Sequence, residues 1–246
     1  MEQLGHQHTY EDYSRFELKN LNPQQLQERL MADMQPYTDY ESRAKISAAF
    51  ELASYLHADD RRSPGPYIAH PARIANRIVT HFGVRDPELV AAALLHDTVE
   101  DHATELAELA GVVSEDPHKT REAALEVLQD IFGERVARTV SLVTNPIYDG
   151  APEDKNQFYF DHVKEAIQDP DALVIKLSDF VDNAVGLHHT ENANLIRKLS
   201  RKYDPLYPVF EEALEEEHPQ IDGASRARLK AQVKDGHIRN QRLMAA

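Results

Sequence analysis

The sequence predicts an all-α protein, and three observations carry that prediction. Apolar residues recur at helical spacing from one end of the chain to the other, with usable caps ahead of them. No long stretch alternates apolar and polar residues as a half-buried strand would. Proline also falls just behind a capping residue, as in Asn22-Pro23 and Asp86-Pro87, the pairing typical of a helix start.

Taken in order, Asn22-Pro23 opens an amphipathic segment that runs to about Gln35. Asp39 caps a longer one with Ile46, Phe50, Ala53 and Leu56 on its apolar side. Pro71 suits the first turn of the next helix, which ends near Gly83. Asp86-Pro87 starts a helix through LVAAALLHDTVED, whose first half reads as buried all round. Segments 119–132 and 134–143 follow, divided at Gly133, and the cluster of Asn145, Pro146, Asp149, Gly150 and Pro152 is a loop. Helices are expected over about 155–168, 171–188, 192–217 and 223–243, the last basic-rich after the acidic EEALEEEH run. With no repeat and no linker long enough to separate a pair of domains, the expectation is one helical bundle over 37–217. An N-terminal extension (1–36) and a C-terminal helical extension (218–246) flank it.

Composition narrows the chemistry. The 246 residues include no Cys, which excludes disulfides, thiolate metal sites and Cys nucleophiles, so any metal must use His, Asp or Glu. Lys plus Arg number 27 against 42 Asp plus Glu, a net charge of −15 that argues against DNA or an anionic membrane as partner. The longest apolar run, Leu89 to Leu95, is far shorter than the ~20 residues of a membrane span. The acidic start MEQLGHQHTYEDY has no signal-peptide pattern, so a cytoplasmic location is the default expectation.

The sharpest local feature is His96-Asp97 with Glu100-Asp101. Residues four apart stack on one helix face, so three carboxylates and an imidazole converge after the apolar ALL. Like charges at that spacing repel by a few tenths of a kcal/mol per pair, which calls for a compensating cation. An ordinary acidic helix end with one satisfied His is the bland alternative. Two features weigh against it: His70 stands before the helix-starting Pro71, and Asp179 interrupts an otherwise apolar helix, where burying a carboxylate is costly unless a cation or hydrogen bonds satisfy it. His70, His96, Asp97 and Asp179 make a sensible mixed nitrogen and oxygen shell for a divalent metal.

His, His-Asp and Asp in that order resemble the HD superfamily of metal-dependent phosphohydrolases. More narrowly, RRSPGPYIAHPARIA, AAALLHDTVED, FGERVARTVSLVTN and VIKLSDFVDNAVGL are similar to the hydrolase domain of RelA/SpoT-type alarmone enzymes, over roughly residues 44–210. Without a synthetase domain in this sequence, the likeness is to the single-domain small alarmone hydrolases. The resemblance implies an all-α HD fold, with His70, His96, Asp97 and Asp179 as metal ligands, usually for manganese, and Glu100 and Asp101 as the acidic pair that orients or activates the attacking water. In such a site the metal lowers the pKa of water and polarises the phosphoryl oxygen, while a carboxylate takes the proton. Arg61 and Arg62 would bind diphosphate oxygens through charge-assisted bonds, Asn183 would contact the nucleotide or its sugar, and Tyr67 would give structural support. Lys176 would line the site or pair with an acidic neighbour. Lys202 and Tyr203, within IRKLSRKYDPLY, would reach substrate, the alternative being a solvated basic helix face.

Two segments depart from the family pattern, at Phe180 and Asp182 and at Asn145. Asp179-Phe180-Val181-Asp182-Asn183 stands where Asp-Arg-Leu-His-Asn is common, and Thr144-Asn145 replaces Thr-Lys, so at least one expected cationic contact to phosphate is missing. The implied activity is a metal-dependent 3′-pyrophosphohydrolase of alarmone nucleotides, (p)ppGpp or (p)ppApp, that releases pyrophosphate. The alternatives are an antitoxin to a toxic alarmone synthetase, acting on its alarmone, on a pyrophosphorylated tRNA 3′ end or by binding the synthetase itself, and an HD-type nucleotidase. His6 and His8 in the terminus and His188-His189 after Gly186 read as uninvolved, and His102 points away from the face of His96 and Glu100.

Overall fold

Each cap acts where the sequence places it. In a computed structural model that describes residues 16–62, 65–185, 187 and 192–245, a short helix α1 (Phe16–Lys19) precedes α2 (Pro23–Met34). Asn22 and Gln25 close α2 with a reciprocal capping box, and Leu26, Leu30 and Met34 face inward. Asp39 accepts the Ser42 amide at 2.8 Å and starts α3 (Tyr40–Leu56). A two-residue hairpin, β1 (Arg61–Arg62) with antiparallel β2 (Gly65–Pro66), leads to α4 (Ala69–Thr80). Two residues per strand are too short for any alternation to show in the sequence.

Asp86 caps α5 (Pro87–Leu95), in which Leu89 through Leu95 are all buried. The single helix expected through LVAAALLHDTVED is broken: α5 stops at Leu95 and α6 (Thr98–Asp101) begins after a turn at His96-Asp97. The reason is local competition for carbonyls. His96 Nδ1 lies 2.9 Å from Ala93 O and the Thr98 hydroxyl donates to Leu95 O at 2.7 Å, so side chains take bonds that helix amides would otherwise make. The short α7 (Ala103–Leu109) then leads to α8 (Pro117–Phe132) and α9 (Glu134–Val143), which divide at Gly133, whose φ of 96° a side chain would resist.

After the loop come α10 (Lys155–Ala166) and α11 (Pro170–Phe180), capped by Asp169 and running into one wider turn of π spacing at Val181–Val185. The helix expected over 192–217 is two, α12 (Ala193–Tyr203) and α13 (Leu206–Ala213), because Pro205 lacks the amide needed to continue α12. The helix α14 (Gly223–Ala245) closes the chain.

The helices α3, α4, α5, α9 and α11 pack on one another around the Ala-rich α5. The described parts of both flanking segments pack on the rest of the fold. Asn76 donates its side-chain amide to Leu26 O at 3.0 Å, tying α2 to α4. The helix α14 buries Ser225, Leu229, Val233, Gly236 and Asn240, a stripe at helical spacing, against α12, α13 and the π turn. No helix among the described residues is long and apolar enough to cross a membrane. His6, His8, His188 and His189 lie outside the described residues.

Candidate metal centre

Three parts of the fold deliver one cluster. The first turn of α4 brings His70, the break between α5 and α6 brings His96 and Asp97, and α11 brings Asp179. His70 Nε2 lies 3.1 Å from Asp179 Oδ1 and 3.7 Å from Asp97 Oδ2, and His96 Nε2 lies 3.0 Å from Asp97 Oδ2. The break that defeats the continuous-helix expectation is what turns His96 and Asp97 together.

Both rings present the same atom inward. His70 places Nδ1 2.9 Å from Asp182 Oδ2, and His96 places Nδ1 2.9 Å from a carbonyl that can only accept. Each Nδ1 therefore carries a proton, and Nε2 is the atom turned toward the carboxylates, able to offer its lone pair to a cation. His96 Nε2 is buried without a hydrogen-bond partner, because its contact with Asp97 is out of line. Two imidazole nitrogens among carboxylates call for positive charge, supplied by protons or by a metal ion. Burial opposes protonation of His96, yet the neighbouring Asp97 outweighs it and pushes the pKa up to about 9. Burial likewise opposes charge on Asp97 and Asp179, but the His96 and His70 rings hold both below the carboxylate range. These donors suit a first-row divalent cation, which takes one lone pair from each.

The surroundings hold these side chains in place. Tyr67 donates its hydroxyl to Asp97 Oδ2 at 2.7 Å, and Asn183 donates to Asp179 Oδ1 at 2.6 Å. Arg62 bonds Asn183 Oδ1, and its guanidinium lies over the Tyr67 ring. Asp182, the departure from the family pattern, is buried; besides His70 it accepts two bonds from Arg73 and one from Arg77 at 2.8 to 3.0 Å. Burial opposes its charge, but His70 and the two guanidiniums hold its carboxyl well below the usual range. Sequence reasoning missed Arg73 and Arg77. Their spacing from His70, three and seven residues on, is the signal that puts them on its face of α4.

Glu100 and Asp101 flank the cluster. Asn145 donates both its backbone and its side-chain amide to Glu100, at 3.1 and 3.0 Å, and Lys176 donates to Asn145 Oδ1 at 3.4 Å. The second departure is thus a neutral bridge between Lys176 and Glu100. Burial, reinforced by the charges of Asp97 and Glu100, pushes Asp101 up to about 6. Lys176 is buried, and burial lowers its pKa against the pull of Asp179 and Glu100. Lys202 stands over the rings of Tyr159 (3.9 Å) and Tyr203 (5.1 Å), and Tyr203 is itself buried. Arg61 faces elsewhere, donating to the carbonyls of Ala58 and Asp60. A cavity of about 440 Å³ opens beside His70, walled by Arg62, Asn183 and Arg73 and, across it, by Lys19 and Asn22.

A sequence model of the HD domain matches residues 49–214. The chain is 30% identical over 166 residues to a guanosine-3′,5′-bis(diphosphate) 3′-pyrophosphohydrolase of Aquifex aeolicus, covering 66% of this chain and 21% of that protein. It is 41% identical over 108 residues to the enzyme of the same description, MESH1, of Danio rerio, covering 42% of this chain and 49% of that protein. The matched segment is thus less than two thirds of these relatives' length. A solved structure described as a metazoan ortholog of SpoT that hydrolyzes ppGpp covers 85% of this chain and 98% of its own, with a TM-score of 0.58 and 19% identity, a likeness of fold. The chain belongs to the HD domain family.

Proposed function

We propose that the protein is a metal-dependent 3′-pyrophosphohydrolase of alarmone nucleotides, with manganese as the metal. One observation carries the reading: His70, His96 and Asp97 bring one ligand atom each within 4.8 Å of one another, Asp179 lies 3.1 Å from His70, and the Glu100-Asp101 pair follows on α6. Relatives described as guanosine-3′,5′-bis(diphosphate) 3′-pyrophosphohydrolases support the substrate class.

When bound, the metal supplies Lewis-acid polarisation of the phosphoryl group and a lowered pKa for water. In this reading His70, His96, Asp97 and Asp179 hold it. Glu100, fixed by Asn145, orients the attacking water. Asp101 takes its proton, since a carboxyl that titrates near 6 exchanges protons close to neutrality. The water oxygen bonds to the 3′-linked phosphorus, the bond to the ribose 3′-oxygen breaks, that oxygen takes up the proton passed through Asp101 or one from solvent, and pyrophosphate leaves. Arg62, Lys176 and Lys202 supply positive charge for the phosphate oxygens, and Asn183 faces the sugar. Arg61 would have to leave its two carbonyls to join them.

The test is product analysis with guanosine and adenosine alarmones, using manganese-loaded and chelator-treated protein. Pyrophosphate release that requires the metal is the expected result, and the faster substrate settles the base. Release of inorganic phosphate from ordinary nucleotides would replace the reading with a nucleotidase. Turnover of pyrophosphorylated tRNA alone would replace it with an antitoxin activity.

A further inference from the structure

A second convergence of ligand atoms lies beside the first and shares none of its ligands. His57 ends α3, Asp60 stands in the turn after it, and His102 stands between α6 and α7. His57 Nδ1 is 2.7 Å from Asp60 Oδ2, His102 Nε2 is 2.8 Å from the same oxygen, and the two nitrogens are 3.1 Å apart. Two donors held at about 2.1 Å from one first-row cation lie about 3 Å apart at octahedral angles and about 3.4 Å apart at tetrahedral ones, so this triangle has the size of one face of an octahedral shell.

The second ring nitrogen of His102 supports the same reading. Its Nδ1 lies 3.1 Å from Glu105 Oε1, the carboxylate partner that a metal-bound imidazole commonly has. With its proton there, His102 directs a lone pair at Asp60 and His57. Both rings also meet one Asp60 oxygen with their own nitrogens only 3.1 Å apart, so the two nitrogens cannot both turn an N–H into that gap. His57 is buried, and its other nitrogen, Nε2, has no hydrogen-bond partner. Asp60 is 37% exposed, which leaves room for water to complete a shell. No Lys or Arg side chain is paired with Asp60 or Glu105 among the described residues.

We propose that His57, Asp60 and His102 form a second divalent-cation site, for a first-row cation that takes mixed nitrogen and oxygen donors, on the far side of Tyr67 from the HD centre. The Tyr67 ring stacks on His57 at 4.5 Å while its hydroxyl holds Asp97. A cation here braces the group that orients an HD ligand.

The test counts metal on the full chain. Wild type, His102→Gln, Asp60→Asn and His96→Gln are stripped with chelator, dialysed against a micromolar excess of zinc ion and assayed by plasma mass spectrometry, with circular dichroism to confirm folding. Two ions per chain are expected in the wild type, one in each single variant and none in His96→Gln combined with His102→Gln. With cobalt in place of zinc, His102→Gln should remove one set of visible absorption bands and keep the other. If His102→Gln and Asp60→Asn both bind as much metal as the wild type, the triangle is an ion-paired triad and the proposal fails. Loss of metal in His96→Gln alone bears on the HD centre only.

Discussion

Asp182 Oδ2 sits 2.9 Å from His70 Nδ1, and Arg73 and Arg77 bracket the same carboxylate from α4. In the structure this departure from the family pattern supports the His70 ring. Asp182→Asn would leave two guanidiniums short of their counter-charge, one of them fully buried, a loss of about 3–5 kcal/mol on breaking such a pair. Urea unfolding should register it, and zinc or manganese titration should show affinity down about 10- to 100-fold. Asp182→His should destabilise likewise. An Asp182→His protein of wild-type stability with only its substrate preference changed would contradict this placement.

Tyr67→Phe keeps the ring stacked on His57 and removes the hydroxyl that holds Asp97. The expected outcome is metal affinity lowered about tenfold at nearly constant stability, read by competition against a chelating dye.

Asp101→Asn should retain metal and lose about 10²- to 10⁴-fold in kcat, with KM little changed, the pattern of a group that acts on the proton rather than on binding. Steady-state kinetics paired with metal analysis checks both halves.

Lys202→Met preserves the stem that packs on Tyr159 and Tyr203 and removes the ammonium. If Lys202 meets phosphate, KM for an alarmone should rise about 10- to 100-fold, the equivalent of about 1.5–3 kcal/mol for a charge-assisted bond. An unchanged KM would return Lys202 to a packing role.

His81 links stability to acid away from the metal. Burial, aided by the Arg77, Arg29 and Arg228 cations, pushes its pKa down to about 3, against 6.5 for the free side chain. Below pH 6.5 the unfolded chain therefore binds a proton that the folded chain refuses. Stability falls as pH drops from 6.5 toward 3 and is unaffected by this group above 6.5. His81→Phe should flatten that slope by about 1.4 kcal/mol per pH unit between pH 6 and 4 in urea melts.

What the sequence by itself determined is local. Asn22, Asp39, Asp86 and Gly133 bound helices because a cap or a positive φ acts within three or four residues. His70, His96, Asp97 and Asp179 stood out because imidazoles and carboxylates in apolar helices need a cation or hydrogen bonds, a cost visible in one segment at a time. The tertiary structure alone decided the rest. Arg73 and Arg77 meet Asp182 across more than a hundred residues, and His57 meets His102 across 45. Asn145 turned out to hold Glu100, and Arg61 to face away from the cluster. Pairings of this kind depend on which faces are buried against each other, and periodicity along one helix carries no record of its partner.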